Sequence, residues 1–267
     1  MKKSVYNNFK QQLGEISVAV QFTELTKKYF LDNNLSLGSL NTNSDSSDVT
    51  LDELTKTYGL TLSYRAGDFV DGEVSTLINT TICSNYITNV HMCFEEFLSN
   101  LKRHISDFSN YNIQEKGPNQ SSLEHLYYVI LDSVELRQQS KNLFLVSEYY
   151  RNVRNTNLHN LDSRKKLKSQ LQNIQILDID KETKYGVLSA PNNFDKLTYD
   201  DFILFSKVTL RLAYLLYKHI AYSDEKILNY YKRTYSNKIN NIVTNERKAK
   251  HFKNFLRESG LTYNNDI

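Results

Sequence analysis

Six consecutive residues, 154–159, carry the side chains of this chain that are best suited to chemistry. Their sequence is Arg-Asn-Thr-Asn-Leu-His, so an arginine and an asparagine precede a histidine near the end of a predicted helix. On such a helix, Arg151, Asn155 and His159 are four residues apart and share one face. Arg154 lies about 140° around the helix from His159, yet its long side chain can reach the same cleft. The segment therefore predicts a shared polar site.

These residue types suit the cleavage of RNA by its own ribose 2′-hydroxyl. A histidine titrates near neutrality, so His159 is the candidate general acid or base. The fork-shaped guanidinium of Arg154 can hold a phosphate and stabilise its growing charge, with Arg151 as a secondary phosphate contact. Asn155 can orient either group. Such a reaction requires no metal ion and no cofactor.

A single histidine cannot easily act as base and acid at opposite ends of a scissile bond. A second His159 from a symmetry-related copy would supply the missing group, which favours a homodimer with twofold symmetry. The bare spacing is weak support, because ten Arg and six His residues give a particular Arg-to-His spacing about 0.2 times by chance. The alternative is that Arg154 and His159 form a solvated helix end, where the helix dipole favours a cationic histidine.

The string from Arg154 to His159 resembles the Arg-Asn-x-x-x-His signature of the HEPN superfamily, and two further segments agree with it. Residues 91–98 (His-Met-Cys-Phe-Glu-Glu-Phe-Leu) are similar to a Phe-Glu-x-Phe-Leu stretch on an early helix of HEPN domains. A variable excursion and then a long apolar helix, 198–222, follow in the usual HEPN order. The resemblance covers residues 73–222, somewhat over half of the chain.

The resemblance implies a helical bundle that dimerises and cleaves RNA without a metal, leaving a 2′,3′-cyclic phosphate and a 5′-hydroxyl. Arg154 and His159 correspond to the catalytic pair, and Asn155 corresponds to their polar neighbour. The resemblance implies that Glu95 is a functional acid. A glutamate that is simply exposed on a helix is an alternative of equal weight. Many HEPN proteins are toxins or antiphage effectors, so an antitoxin or a sensor protein is an expected partner. Other HEPN proteins are non-catalytic, which leaves open a module that binds a protein, a nucleotide or a nucleic acid.

Positive charge concentrates toward the C-terminus. Residues 226–257 hold nine Lys or Arg residues and one Glu, although the whole chain has a formal charge of only +3. The aromatic residues interleaved with these cations either stack on unpaired bases or pack inward; they are Tyr230, Tyr231, Tyr235 and Phe252. A DNA-binding protein that acts through this region is a further alternative. A shorter basic run with Lys165 and Lys166 follows His159, and it either grips substrate or forms a solvated loop.

The elements that position these residues are predicted to be helices. Apolar residues at helical spacing, without internal breakers, predict helical regions over 5–30, 73–108, 121–136, 143–160, 198–222 and 223–258. Capping boxes are predicted where Ser121 is followed by Glu124 and where Thr198 is followed by Asp201. A flexible connection is predicted over 32–48.

Two segments depart from the helical pattern. Residues 174–179 and 185–188 flank a turn-like stretch, which predicts a small β-hairpin, and 60–64 is predicted as a short strand. The expected fold is therefore all-α, a HEPN-like helical bundle with a small β-hairpin insertion and an extra C-terminal helical region. The expected domains are 1–70 (an N-terminal helix and a flexible connection), 71–222 (the bundle) and 223–267 (the basic region).

The composition disfavours several classes of protein. Eight Gly and two Pro residues argue against a loop-rich β-sandwich or low-complexity disorder. Cys83 and Cys93 cannot build a disulfide scaffold, and with only His91 nearby they do not complete a metal site, so they are expected to be buried thiols. No apolar secretory signal is visible, and two basic residues interrupt the longest apolar stretch, 202–217. We expect a cytoplasmic protein without a membrane span.

Overall fold

The computed structural model describes residues 4–39, 73–159, 164–175, 182–183 and 186–263. Its helices are α1 (Val5–Ser39), α2 (Glu73–Phe108), α3 (Ser122–Ile130), α4 (Val134–His159), α5 (Arg164–Gln175), α6 (Tyr199–Lys218), α7 (Asp224–Asn240) and α8 (Asn245–Ser259). The two strands are β1 (Glu182–Thr183) and β2 (Gly186–Val187). The all-α prediction is confirmed for the part of the chain that is described.

The first two helices follow the apolar pattern but differ in how well their ends were predicted. The long helix predicted over 73–108 is confirmed with these bounds. Helix α1 continues to Ser39, so the prediction of a flexible connection from residue 32 is wrong for its first part. Polar Asn and Asp residues there weaken the apolar stripe without interrupting the helical backbone. The strand predicted at 60–64 lies outside the described residues.

The third and fourth helices divide at a different place from the predicted one. The N-cap at Ser121 is confirmed, since its side chain accepts a hydrogen bond from the Glu124 backbone N–H at 2.9 Å. The helix then ends at Ile130, and its C-cap, Leu131, has a non-helical backbone (φ −93°, ψ 74°). The Arg137 guanidinium donates to the freed Leu131 carbonyl at 3.0 Å. Helix α4 begins at Val134, nine residues before the predicted start at Leu143. The prediction missed these first turns because they are largely polar and show little apolar periodicity.

The predicted β-hairpin is not confirmed. Residues 174–175 belong to α5, and 176–181 lie outside the described residues. The strands β1 and β2 are two residues each and pair antiparallel, with Glu182 opposite Val187. The pairing is therefore much smaller than a hairpin with its first strand over 174–179.

The predicted C-terminal helical region, 223–258, consists of two capped helices. Ser223 and Thr244 are the N-caps of α7 and α8, and each side chain accepts a hydrogen bond from a backbone N–H of the first turn. Helix α8 ends at Gly260, whose left-handed backbone (φ 67°) is the conformation that favours glycine. The helix predicted to reach Tyr222 ends at Lys218, and Tyr222 instead forms an isolated antiparallel bridge with Ser109.

The contacts divide the described residues into two compact units. The first unit falls within residues 1–14, 90–147 and 206–267, and the second falls within 15–89 and 148–205. The predicted domain limits at residues 70 and 222 are not tested by this division and stay a prediction.

The core of the first unit is rich in aromatic rings. Phe9 on α1 lies 5.0 Å from Phe97 and 5.7 Å from Phe94 on α2, measured between ring centroids. Leu101 and Ile105 continue the same buried face of α2. Burial of these large apolar side chains supplies most of the free energy that holds the helices together.

His104 is a buried titratable group in this unit. Its Nε2 atom lies 3.2 Å from the Tyr222 hydroxyl, and its ring packs edge-on against Phe108 with the centroids 4.9 Å apart. Burial lowers the pKa of His104 to about 4, because the charged imidazolium is poorly solvated there. The imidazole is therefore neutral at physiological pH.

The lowered pKa of His104 predicts acid sensitivity. Between pH 6.5, the ordinary pKa of histidine, and pH 4, the approximate pKa in the folded chain, His104 binds more protons in the unfolded chain than in the folded one. The contribution of His104 to stability is full above pH 6.5 and falls as the pH drops, by up to about 3 kcal/mol near pH 4. His104→Phe should therefore lose less stability than the native chain between pH 7 and pH 4.5 in urea denaturation. An equal loss in both proteins would contradict this explanation.

Candidate active site

The last turns of α4 present two different faces. Tyr149, Tyr150 and Val153 are fully buried in the second unit. Arg154 and Asn155 are half-buried at the edge of this face. The apolar face thus fixes the rotation of the helix, and the polar residues of the predicted site lie beside it.

Tyr150 is held by a buried carboxylate. Its hydroxyl donates to Asp201 Oδ1 at 2.8 Å, and Asp201 is 0% exposed. The same carboxylate accepts hydrogen bonds from the backbone N–H groups of Asn192 and Thr198, both at 2.8 Å. The Asn192 side-chain amide donates at 2.9 Å and the Thr198 hydroxyl at 3.2 Å. Five donors therefore satisfy a carboxylate that has no contact with solvent.

This network confirms that Thr198 and Asp201 form the N-terminal cap of α6. The Asp201 side chain reaches back to the Thr198 N–H, which is the reciprocal half of a capping box. Burial, with the nearby Asp201 carboxylate, raises the pKa of Tyr150 well above its ordinary value. Tyr150 is therefore a neutral structural donor and not a candidate general acid.

Arg154 lies at the centre of the predicted site. Its Nη1 atom donates to Asn155 Oδ1 at 3.0 Å, so the two predicted site residues are in direct contact. Its Nε–H is buried and makes no hydrogen bond. Arg154 also has no carboxylate partner among the residues that the structure describes. The contact that the described structure gives for this guanidinium is therefore to a neutral side chain.

Arg151 has a different environment from the one predicted. Its Nη2 and Nε atoms lie 2.8 and 2.9 Å from Glu148 Oε2, in an ion pair between residues three apart on α4. A phosphate at Arg151 would have to compete with this carboxylate. Glu148 was missed by the sequence analysis, although a Glu three residues before an Arg on a helix is a recognisable signal.

His159 is the last residue of α4, so Asn155 and His159 do lie on one helix at the predicted four-residue spacing. The side chain of His159 lies outside the described part of the chain. The role of His159 therefore stays a prediction that rests on its position along the helix.

The basic run after His159 forms the beginning of a helix and not a loop. Lys165 and Lys166 are exposed in the first turn of α5, and Leu167 beside them is buried. Helix α5 is joined to α4 by a hydrogen bond from Asn152 Nδ2 to Gln170 Oε1 at 3.1 Å. Both lysines therefore belong to an element that is attached to the site helix.

Glu95 belongs to the first unit. Its Oε1 atom is 4.0 Å from His91 Nε2, one turn earlier on α2, and its side chain is partly exposed. The alternative to a functional acid was an exposed helical glutamate, and the structure gives a side chain that is 37% exposed. Its predicted part in the site is not tested.

A contact with α2 was missed altogether. Asn157 Nδ2 donates to Ser84 Oγ at 2.5 Å within the second unit. The two residues are 73 positions apart in the sequence, and Asn157 is an unspecified position of the string 154–159, so sequence spacing offered no signal for this contact.

Both cysteines are buried and form no disulfide, so the prediction of buried thiols is confirmed. Burial, with a smaller effect from Glu24, raises the pKa of Cys83 to about 12, so this thiol is not a nucleophile at neutral pH. No group of three His, Cys, Asp or Glu side chains is placed to hold a metal ion in the part that is described. Within that part, no helix is both long enough and apolar enough to cross a membrane.

Comparison with known proteins does not place the chain in a family. No protein-family model matches it, and neither a curated protein nor a solved structure shows significant similarity. The likeness to the HEPN superfamily therefore rests on the residues of the chain itself.

Two neighbouring tyrosines provide a matched test of the buried network. Tyr150→Phe removes a hydrogen bond to a carboxylate and should lower the free energy of unfolding by about 2 kcal/mol. Tyr149→Phe removes a bond to the Asn192 carbonyl oxygen and should cost about 1 kcal/mol. Urea denaturation of both variants measures the difference. A larger cost for Tyr149→Phe would show that the Asp201 network is not the stronger anchor.

Proposed function

We propose that the protein is a metal-independent endoribonuclease of the HEPN type. The ribose 2′-hydroxyl attacks the adjacent phosphate, and cleavage leaves a 2′,3′-cyclic phosphate and a 5′-hydroxyl. His159 is the proposed general acid or base, and Arg154 binds the scissile phosphate. Asn155 orients them, Arg151 is a secondary phosphate contact, and Lys165 and Lys166 attract the RNA backbone.

One observation carries this proposal: Arg154 has the environment of an anion-binding arginine. Arg151, earlier on the same helix, pairs with the Glu148 carboxylate. Arg154 instead contacts the neutral Asn155 and keeps a buried Nε–H that makes no hydrogen bond. A phosphate group supplies the negative charge and the paired acceptor oxygens that match the fork of a guanidinium.

The chemistry needs two proton transfers. A base takes the proton of the 2′-hydroxyl as this oxygen attacks phosphorus, and an acid gives a proton to the departing 5′-oxygen. Charge grows on the non-bridging oxygens in the transition state, where a held arginine is most effective. Because each chain contributes a single His159, we propose that two chains share the reaction as a homodimer.

Helix α1 offers a surface that suits a second copy. Four large apolar side chains are exposed on one face at intervals of four, three and four residues: Val18 (70%), Phe22 (70%), Leu25 (67%) and Tyr29 (70%). This alternation is the spacing by which two helices pack along an apolar seam. The seam belongs to the same unit as Arg154, so a dimer formed through it involves the unit that carries the proposed site.

The biological role proposed with this activity is that of a toxin or a phage-defence effector. Free cleavage of RNA harms the cell that makes the enzyme, so the activity must be restrained until it is needed. We therefore propose an antitoxin or a sensor protein as a partner.

A catalytically silent module that binds a protein, a nucleotide or a nucleic acid is the second candidate. The ion pair between Arg151 and Glu148 favours it, because this pair already satisfies one of the proposed phosphate contacts within the chain. The two candidates differ in whether RNA is cut.

The ribonuclease activity is tested by RNA cleavage in EDTA. His159→Ala should lower the rate by roughly 10²- to 10⁴-fold, since general acid–base catalysis is lost. Arg154→Ala should lower it by about 10²-fold or more, through loss of charge stabilisation in the transition state. Gel analysis with end-group assignment gives both the rate and the cyclic-phosphate product.

The controls are an exposed arginine and a histidine of the first unit. Arg103→Ala and His219→Ala should cut RNA at the native rate. If all four variants cut equally, the proposed site is not the site of cleavage. If the native chain binds RNA but cuts none, the silent module is the better description.

The dimer is tested by placing a charge on the apolar seam. Phe22→Glu and Leu25→Glu should convert the dimer into a monomer, because a buried carboxylate at a seam position is unpaired and costly. Light scattering measures the mass, and cleavage should fall with it because the second His159 is lost. Leu77→Glu, a substitution at another exposed apolar residue, should leave the dimer intact. A native chain that is active as a monomer would contradict the two-chain mechanism.

A further inference from the structure

Helix α8 has one apolar face, and that face is already covered. Phe252 and Phe255 are buried, and they join Ile227 and Tyr231 of α7 in a core cluster of the first unit. The rings of Tyr231 and Phe252 lie 4.7 Å apart between centroids. The apolar side of α8 is therefore not available to an external partner.

The opposite face of α8 carries four exposed cations, which we call the basic stripe. They follow at intervals of three, three and four residues: Arg247, Lys250, Lys253 and Arg257. Ten residues of helix separate the first from the last, which corresponds to about 15 Å along the axis. Helix α8 also carries two carboxylates, Glu246 in its first turn and Glu258 next to Arg257.

The charges of the basic stripe are not neutralised within the described structure. Arg257 Nη2 donates to the neutral Asn254 Oδ1 at 3.4 Å, and none of the four cations forms an ion pair with a described residue. Like charges on successive turns of one helix repel each other. A polyanion relieves this repulsion and releases its own counterions when it binds.

Both ends of α8 are fixed, so the basic stripe is presented on a rigid element. Thr244 caps the first turn, with its Oγ1 accepting from the Arg247 N–H at 3.4 Å. At the other end, the Tyr217 hydroxyl donates to the Gly260 carbonyl at 2.9 Å. A Cβ at position 260 would lie 2.2 Å from the Tyr217 hydroxyl oxygen, so only glycine fits this approach. Rigid presentation lowers the entropy lost when a partner binds.

We propose that the basic stripe is a binding surface for the phosphate backbone of RNA, a choice of polyanion that rests on the proposed ribonuclease function. A lipid surface fits poorly, because a helix that binds membranes needs its apolar face free to insert. Base stacking is also disfavoured, since Tyr231 and Phe252 pack inward and Tyr230 and Tyr235 pack against the same cluster. The stripe therefore binds phosphates without reading the base sequence.

The test measures binding of a fluorescent oligouridine as a function of salt, with His159→Ala present in every protein to prevent cleavage. The stripe variant replaces Arg247, Lys250, Lys253 and Arg257 by Ser. The four substitutions should weaken RNA binding roughly 10- to 100-fold. They should also make the negative slope of log affinity against log salt shallower by about 3, or about 0.7 for each lost phosphate contact. An oligocytidine should give the same result, because phosphates carry the interaction.

The control removes four other exposed cations of the same unit. Lys10, Lys102, Arg103 and Lys141 are replaced by Ser, and this variant should keep the native affinity and slope. Equal weakening in both variants would show an effect of net charge and overturn the proposal. Unchanged RNA binding by the stripe variant would also overturn the proposal. So would a stripe variant that loses binding to phosphatidylserine vesicles but keeps its binding to RNA.

Circular dichroism checks the fold of the stripe variant, which should be native because all four substituted side chains are exposed. Cleavage by the chain with His159 intact is measured separately. If the stripe binds RNA and the intact chain cuts none, the binding surface is supported and the ribonuclease proposal fails. If the intact chain cuts RNA and the stripe variant binds and cuts normally, the ribonuclease stands and the stripe proposal fails.

Discussion

The buried carboxylate of Asp201 is the constraint on which the second unit depends. A carboxylate with no solvent contact costs several kcal/mol unless hydrogen bonds replace its water. The five bonds it accepts come from three separate places: Tyr150 on α4, Asn192 in the preceding loop and Thr198 at the start of α6. A shift of any one segment breaks a bond that cannot be made with water.

This constraint reaches the candidate site through the rotation of α4. With the Tyr150 hydroxyl fixed to Asp201, the residues of the next turn have defined positions around the helix. Val153 continues the buried face, and Arg154 and Asn155 lie at its edge, in contact with each other. The same helix carries two arginines in different electrostatic states, since Arg151 is paired with Glu148 and Arg154 has no described carboxylate partner. The proposed roles agree with that difference, since Arg154 is the main phosphate contact and Arg151 is the secondary one.

The sequence predicted features that depend on neighbours along the chain. The limits of α2, the N-cap at Ser121 and the cap between Thr198 and Asp201 are local signals, and the structure confirms them. The start of α4 was missed because its polar first turns carry little apolar periodicity. The separation of α7 from α8 was also missed, although Thr244 and Gly260 are ordinary capping residues.

The surroundings of the site could be predicted only in part. The four-residue spacing of Asn155 and His159 on one helix follows from a local pattern, and so does the pairing of Arg151 with Glu148, although it was overlooked. The contact between Asn157 and Ser84 depends on packing between distant segments, which no local pattern encodes. The inward packing of Phe252 and Tyr231 likewise follows from the tertiary core, and it leaves the cations as the exposed side of α8.

In the proposed ribonuclease, the nucleophile is the 2′-hydroxyl of RNA, and the scissile phosphate is bound at Arg154. The decisive experiment incubates the protein, in EDTA, with an unmodified RNA and with a second RNA of the same sequence that carries 2′-O-methyl groups. The ends of the products are then identified. We expect cleavage of the unmodified RNA to cyclic-phosphate ends and no cleavage of the methylated strand. Cleavage of both strands, or products with 5′-phosphate ends, would contradict the proposal.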